Sequence, residues 1–242
     1  NRIIAEAPAR LTPDKTMQLV AEIEASLNEK EIMAYMSDGS LQKSVERFGW
    51  SGRVAGSDGD YLMVVDTNIG GQKTDRVIDE SIEHSAKILP DGSIIDTLTI
   101  SRSHNGVKNE LFTGVRNVDW LRVYVPEGSK LLSAEGFSAL DPSLFEEPQP
   151  GWERDGDLRE EASAAIDART GTKTYADLGK TVFANWLLVD PGQTATVRLT
   201  YRLPFALPVP AQRSGFLEAL KKLVSDPGPS SYSLLVQKQP GA

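Results

Sequence analysis

Two long period-two stretches, residues 76–89 and 93–103, are separated only by Pro90-Asp91-Gly92, and this pair limits the possible folds more than anything else in the chain. In the second stretch Ile95, Thr97, Thr99 and Ser101 alternate against Ile94, Leu98 and Ile100, the pattern of a strand with one face buried and the other wet. A Pro-Asp-Gly link leaves room for a tight turn, so the two stretches should pair as an antiparallel hairpin. A second hairpin reads across Val189-Asp190-Pro191-Gly192-Gln193, with arms 182–188 and 195–201. The period stays near two from Tyr61 onward, which adds strands at 61–66, 118–125, 130–135, 160–168, 172–178 and 231–238. Ten short strands joined by turns predict an antiparallel β-sandwich.

The chain before residue 50 follows another rule. Thr12 and Pro13 form a helix start, and Met17, Val20, Ile23, Ala25 and Leu27 follow at roughly helical spacing to Asn28. Residues 31–36 are a short apolar run that reads as strand, and Ser40 is expected to cap a second helix over 41–48 that Gly49 ends. Residues 1–10 read as a lead-in whose Ile3 and Ile4 dock on the body. Residues 141–159 read as loop, and Phe216–Leu223 as a helix before the last strand. The expected class is α+β, mainly β: a helical N-terminal segment, 1–50, packed on a sandwich domain, 51–242. The chain begins at Asn1 without Met, so we expect a piece excised from a longer protein.

Composition removes several chemistries. There is no cysteine, which excludes disulfides, thiolate metal sites, iron–sulfur clusters and cysteine nucleophiles. With two histidines, His84 and His104, a three-imidazole site is impossible. A net charge of −8 argues against nucleic acid, whose binding relies on a basic face; the densest basic run is Lys221-Lys222. No run approaches the ~18–20 apolar residues of a membrane span, and none has the signal-peptide pattern. Nothing in the sequence asks for a cofactor or assigns a metal.

The candidate ligand-binding residues are Asp66, Asn68, Lys73, Asp75 and Trp152. Asp66, Asn68 and Gly71 match the first, third and sixth positions of a calcium loop, but Val77 stands where a bidentate Glu is required. Lys73, Asp75 and Asp66 together read as a polar cluster, for which a salt-bridge brace is the commoner outcome. His84 sits in a strand pattern and His104 in a hydrophilic stretch, with no nucleophile motif beside either. The pairs Asp79-Glu80, Glu146-Glu147 and Glu160-Glu161 are adjacent carboxylates, which point to opposite faces of a strand. Trp120 and Trp186 lie inside strand patterns and are expected in the core. Trp152, in a Pro/Gly-rich loop, is the exposed aromatic best suited to stack on a sugar ring.

The stretches Lys30–Tyr35, GWSGRV at 49–54, DYLMVVDTNIGGQKTD at 60–75, WLRVYVPEGSKLL at 120–132 and LLVQKQPG at 234–241 give the chain its resemblance to a known family. On them it resembles the C-terminal portion of the DUF4012 family, large bacterial envelope proteins of unknown function. The resemblance implies an exported, membrane-anchored parent and supplies no catalytic residues. The expected role is therefore a non-enzymatic structural or adhesive module in the cell envelope, with cell-wall glycan or an envelope protein as partner. The alternative is an accessory domain of an envelope polysaccharide-processing enzyme, which an acidic pocket holding Asp66, Asp75 or Glu80 would favour. A third reading, a cation-stabilised scaffold, expects oxygen ligands to converge within 66–75.

Overall fold

The computed structural model describes residues 12–141, 143, 145, 146, 148–208 and 231–240. The expected lead-in with Ile3 and Ile4, the basic pair Lys221-Lys222 and the expected helix Phe216–Leu223 lie outside the described residues. The chain falls into two compact units: a smaller one that takes in the chain up to Gly56 and rejoins it from Gln237, and a larger one over Ser57–Val236.

In the smaller unit, helix α1 spans Pro13–Asn28 and starts as expected, with Thr12 Oγ1 accepting the Lys15 N–H and proline in the first turn. Its side chains at Met17, Val20 and Ile23 are exposed, and Leu27 is buried. Helix α2 spans Gly39–Arg47 and is capped by Asp38 rather than Ser40. The Asp38 carboxylate accepts the N–H groups of both Ser40 and Leu41 at 2.9 Å, satisfying two otherwise orphaned donors, which a cap at Ser40 would not reach. Gly49 ends this segment at φ +73°, a left-handed value suited to glycine. The expected strand at 31–36 does not form. Ala34 N–H donates to Trp50 O at 2.9 Å, but this single bond is not continued as a ladder. The Trp50 indole N–H donates to Asn28 Oδ1.

The larger unit holds ten strands: β1 Asp60–Val65, β2 Ile78–Ile88, β3 Ser93–His104, β4 Asn117–Pro126, β5 Lys130–Glu135, β6 Ala165–Ile166, β7 Lys173–Asp177, β8 Lys180–Val189, β9 Thr194–Ala206 and β10 Leu234–Val236. They form a six-stranded sheet in the order β10-β1-β4-β8-β7-β6 and a four-stranded sheet in the order β2-β3-β9-β5. The pairing is antiparallel except where β10 joins β1 in parallel, with Asp60 opposite Leu234. Both hairpins close through a left-handed glycine, Gly92 at φ +83° and Gly192 at φ +78°. The expected strand 160–168 shrinks to Ala165–Ile166, because Arg159–Ala162, rich in helix formers, turns as a short helix α3.

The inner faces of the two sheets make one core. Leu62 and Val64 of β1, Leu121 and Val123 of β4, and Phe183 and Leu187 of β8 meet Ile94, Leu98 and Ile100 of β3 and Val197, Leu199 and Tyr201 of β9. Each such side chain, fully buried, contributes roughly 1.5–3 kcal/mol. The inward positions of β4 are odd-numbered, so Trp120 faces outward. Trp120 and Trp186 stand opposite each other on the outer face of their sheet, ring centroids 4.6 Å apart and half-buried, not in the core as expected. Among the described residues no helix is long and apolar enough to cross a membrane.

Candidate functional site

Strand β1 turns Leu62 and Val64 into the core, and the same alternation carries Asp66, one residue past its end, to the same side. The chain then runs on beside β4 as an irregular edge. Thr67 N–H donates to Asp119 Oδ1 at 2.6 Å, Trp120 N–H donates to Thr67 O at 2.9 Å, and Ile69 N–H donates to Val118 O at 2.9 Å. Gly70 lies close enough to this strand that a Cβ would stand 3.2 Å from Val118 Cβ. The loop then bends back into a short 3-10 turn over Thr74–Val77. The Asn68 amide donates to Gly71 O, to the buried Thr74 Oγ1 and to Asp75 Oδ2 at 3.1, 2.8 and 3.1 Å. The Asn117 amide donates to Thr74 Oγ1 and to Asp75 Oδ1, both at 2.9 Å. Two carboxamides from different elements therefore hold one carboxylate.

The positive charge at the centre of these oxygens comes from β3. Its even-numbered side chains point inward, Ile94 through Ile100, and Arg102 follows in the same series with 3% of its side chain exposed. Its Nη1 lies 2.7 Å from Asp66 Oδ1 and 2.5 Å from Asp119 Oδ2. Its Nη2 is 3.7 Å from Asp75 Oδ1, and its Nε is 3.7 Å from Oε2 of Glu80, the residue directly opposite Arg102 on β2. One guanidinium thus serves carboxyl groups from β1, β2 and β4 and from the loop, and it ties the two sheets together.

Asp119 is fully buried and Glu80 largely so, and one cation does not offset the cost of ionising both. Burial pushes Glu80 up to about 7, with the Asp66 charge adding to the effect and Arg102 opposing it. Burial pushes Asp119 up to about 8, against the pull of Arg102. Burial works against the Arg102 charge too, but the Asp119, Asp66 and Glu80 carboxylates outweigh it and raise the guanidinium further. Glu80 and Asp119 are thereby both shifted toward the protonated form near neutrality.

Of the residues singled out from sequence, Asp66, Asn68 and Asp75 come together here. Lys73 does not join them: it is exposed, makes no ion pair among the described residues, and is held by its backbone N–H on Phe112 O. The oxygens of 66–75 are directed at Arg102, Asn68 and Asn117 rather than at a common cation position, so a guanidinium stands where the calcium-loop comparison would put a metal. Trp152 lies apart from this cluster in sequence, 61% exposed in its turn. Arg102, Asp119 and Asn117 were missed, although each has an inward position in its strand and the alternation could have found them. His104 is at the end of β3 and buried, not in a hydrophilic loop. Gly106 N–H donates to its Nδ1, so Nε2–H donates to Val115 O at 2.9 Å, a structural tie between neighbouring segments. An open groove lined by Met33, Tyr35, Gln42, Glu46 and Arg53 lies in the smaller unit, away from these carboxylates in sequence.

No family model, no curated protein and no solved structure matches the chain.

Proposed function

We propose that this chain is a non-enzymatic, extracytoplasmic module of a DUF4012-like bacterial envelope protein, presenting its sandwich surface to cell-wall glycan or to another envelope protein. The observation that carries this reading is the orientation of its acidic residues. Asp66, Asp119 and Glu80 are gathered on a guanidinium that is 3% exposed, so they act as a brace between sheets rather than as the lining of a cleft. The polysaccharide-processing alternative needs those carboxyls free to face a sugar. Trp152, in contrast, is 61% exposed and offers an apolar ring face of the kind that stacks on pyranose rings. The envelope location rests on the resemblance over the five stretches quoted above.

The test is co-sedimentation of the purified chain with bacterial cell-wall material, run beside Trp152→Ala. The expected result is saturable binding that weakens about tenfold or more in the variant, the loss of roughly 1.4 kcal/mol of stacking. Absence of binding by both forms removes the adhesive role and leaves a scaffold for a protein partner.

A further inference from the structure

The strands that build the Arg102 cluster carry a second set of ionisable side chains toward their other ends. Six residues back from Asp66 along β1 is Asp60, and six back from Arg102 along β3 is Asp96. On β2, His84 lies four residues on from Glu80. Asp60 and Asp96 are both fully buried, and the His84 side chain is 11% exposed. His84 Nε2 stands 3.6 Å from Asp60 Oδ2 and 3.5 Å from Asp96 Oδ2, and one ligand atom from each residue lies within 4.8 Å of the others.

This set lacks what the Arg102 cluster has. No Lys or Arg forms an ion pair with Asp60 or Asp96 among the described residues. Asp60 is partly satisfied: Tyr61 N–H donates to Oδ1 at 2.7 Å and the Tyr232 hydroxyl to Oδ2 at 2.5 Å. Both oxygens of Asp96, Nε2 of His84 and the hydroxyl of the fully buried Tyr201 have no hydrogen-bond partner. Tyr201 lies directly opposite Asp96 in the β3–β9 register, which brings both side chains out on the same inner face. A buried carboxylate with neither hydrogen bond nor counter-charge costs several kcal/mol, and a lone tyrosine hydroxyl beside it adds to that cost. One ligand atom each of Asp60, His84 and Asp96 converges here from the two sheets, and a positive species among them would satisfy the unpartnered atoms of His84 and Asp96.

We propose that Asp60, His84 and Asp96 bind one divalent transition-metal cation, of the zinc or manganese class, which pins β1 of one sheet to β2 and β3 of the other. The spacing fits: a tetrahedral ion about 2.0–2.1 Å from each donor sets its ligands about 3.3 Å apart, within a few tenths of an ångström of the imidazole–carboxylate separations found. The donor chemistry selects the ion. One imidazole and two carboxylates without a thiolate suit zinc, manganese or iron(II), whereas calcium requires six or more oxygens and copper(I) requires sulfur. Two carboxylates balance the dipositive charge and leave the interior neutral. Tyr232 acts as a positioning residue through its hydrogen bond to Asp60. The three ligands come from both sheets and are almost closed to solvent, so the ion would serve to hold the sheets together.

The test uses the whole chain, free of any affinity tag, dialysed against a chelator and then titrated separately with zinc, manganese and cobalt(II) chlorides. The expected result is one equivalent of saturable binding and, with cobalt, the intense visible bands of a low-coordinate site. Asp96→Asn and His84→Gln should each weaken binding by about 100-fold and abolish the cobalt bands, and Tyr232→Phe should weaken it about tenfold. Circular dichroism of each variant separates lost binding from lost folding, and His84→Gln, on an edge strand, keeps the test open if Asp96→Asn misfolds. Absence of saturable binding of all three ions, or equal affinity in wild type and folded variants, overturns the proposal.

Discussion

Arg102 and Asp96 stand six positions apart on the same inward face of β3, and their surroundings differ in one respect. Around Arg102, carboxyls from β1, β2 and β4 meet a cation that the chain itself supplies. Around Asp96, a second carboxylate and an imidazole gather with no Lys or Arg paired to them among the described residues, and several polar atoms have no hydrogen-bond partner. Leu62, Val64, Leu98 and Ile100 fill the interval between the two sets. The contrast shows that burial alone does not say what a polar cluster is for. When opposite charges are present the cluster braces the fold. When no Lys or Arg is present, the cluster must be neutralised by protons or by a cation from outside the chain.

The largest effect should come from breaking the compensated side. Arg102→Met leaves Asp66 and Asp119 without their counter-charge and should cost about 3–5 kcal/mol in urea denaturation at pH 8. A loss below about 1 kcal/mol would mean that the cluster is not the brace described. The second effect is one of pH. Glu80, normally near 4.5, is pushed up to about 7, so the folded state keeps a proton that the unfolded state loses near 4.5. Its contribution is fully present below about pH 4.5 and is lost as pH rises through 7. Glu80→Gln should therefore make the decline in stability between pH 5 and pH 8.5 shallower by on the order of 2 kcal/mol. Asp119, also pushed up, keeps its own contribution, so the slope does not vanish; an unchanged slope would mean that Glu80 is not the group that takes up the proton. The smallest effect has the opposite sign. In chelator-treated protein, Asp96→Asn replaces a buried carboxyl whose oxygens have no hydrogen-bond partner and should stabilise by about 1 kcal/mol. A clear destabilisation there would show that Asp96 is already satisfied and would erase the contrast.

Much of this was within reach of the sequence, up to a definable point. The period-two runs and their Pro-Gly turns lead directly to both hairpins and to the strand order along the chain, because half-buried strands write their geometry into every second residue. The same count passes from Ile94 to Leu98 through Asp96, and from Ile100 on to Arg102, so two charged residues at inward positions were legible as exceptions. They went unread because attention rested on the apolar members of the series. Trp120 is the converse case: its place inside a strand pattern pointed to the core, but parity with Leu121 and Val123 places it outward. Asp66 and Asp75 stood out by loop composition, but their partners Arg102, Asn117 and Asp119 reach them through sheet-to-sheet packing and strand register, which a single stretch does not encode. The run at 31–36 has the composition of a strand and no strand beside it to pair with. Asp38 outcompeted Ser40 because a carboxylate two positions earlier satisfies the N–H groups of both Ser40 and Leu41.

The parallel seam between β1 and β10 carries a consequence for the order of events during synthesis. Tyr232, which donates its hydroxyl to Asp60, follows it by 172 positions, and the strand beside it completes an edge of a sheet whose other members are made earlier. On the ribosome, β1 through β9 emerge while Asp60 still lacks that neighbour. The nascent sandwich must wait with one margin open, and closing so long a loop is among the slow steps available to a β-protein. Docking of the final described strand is thus expected to be a late step, and until it occurs the margin that holds Asp60 is open to water.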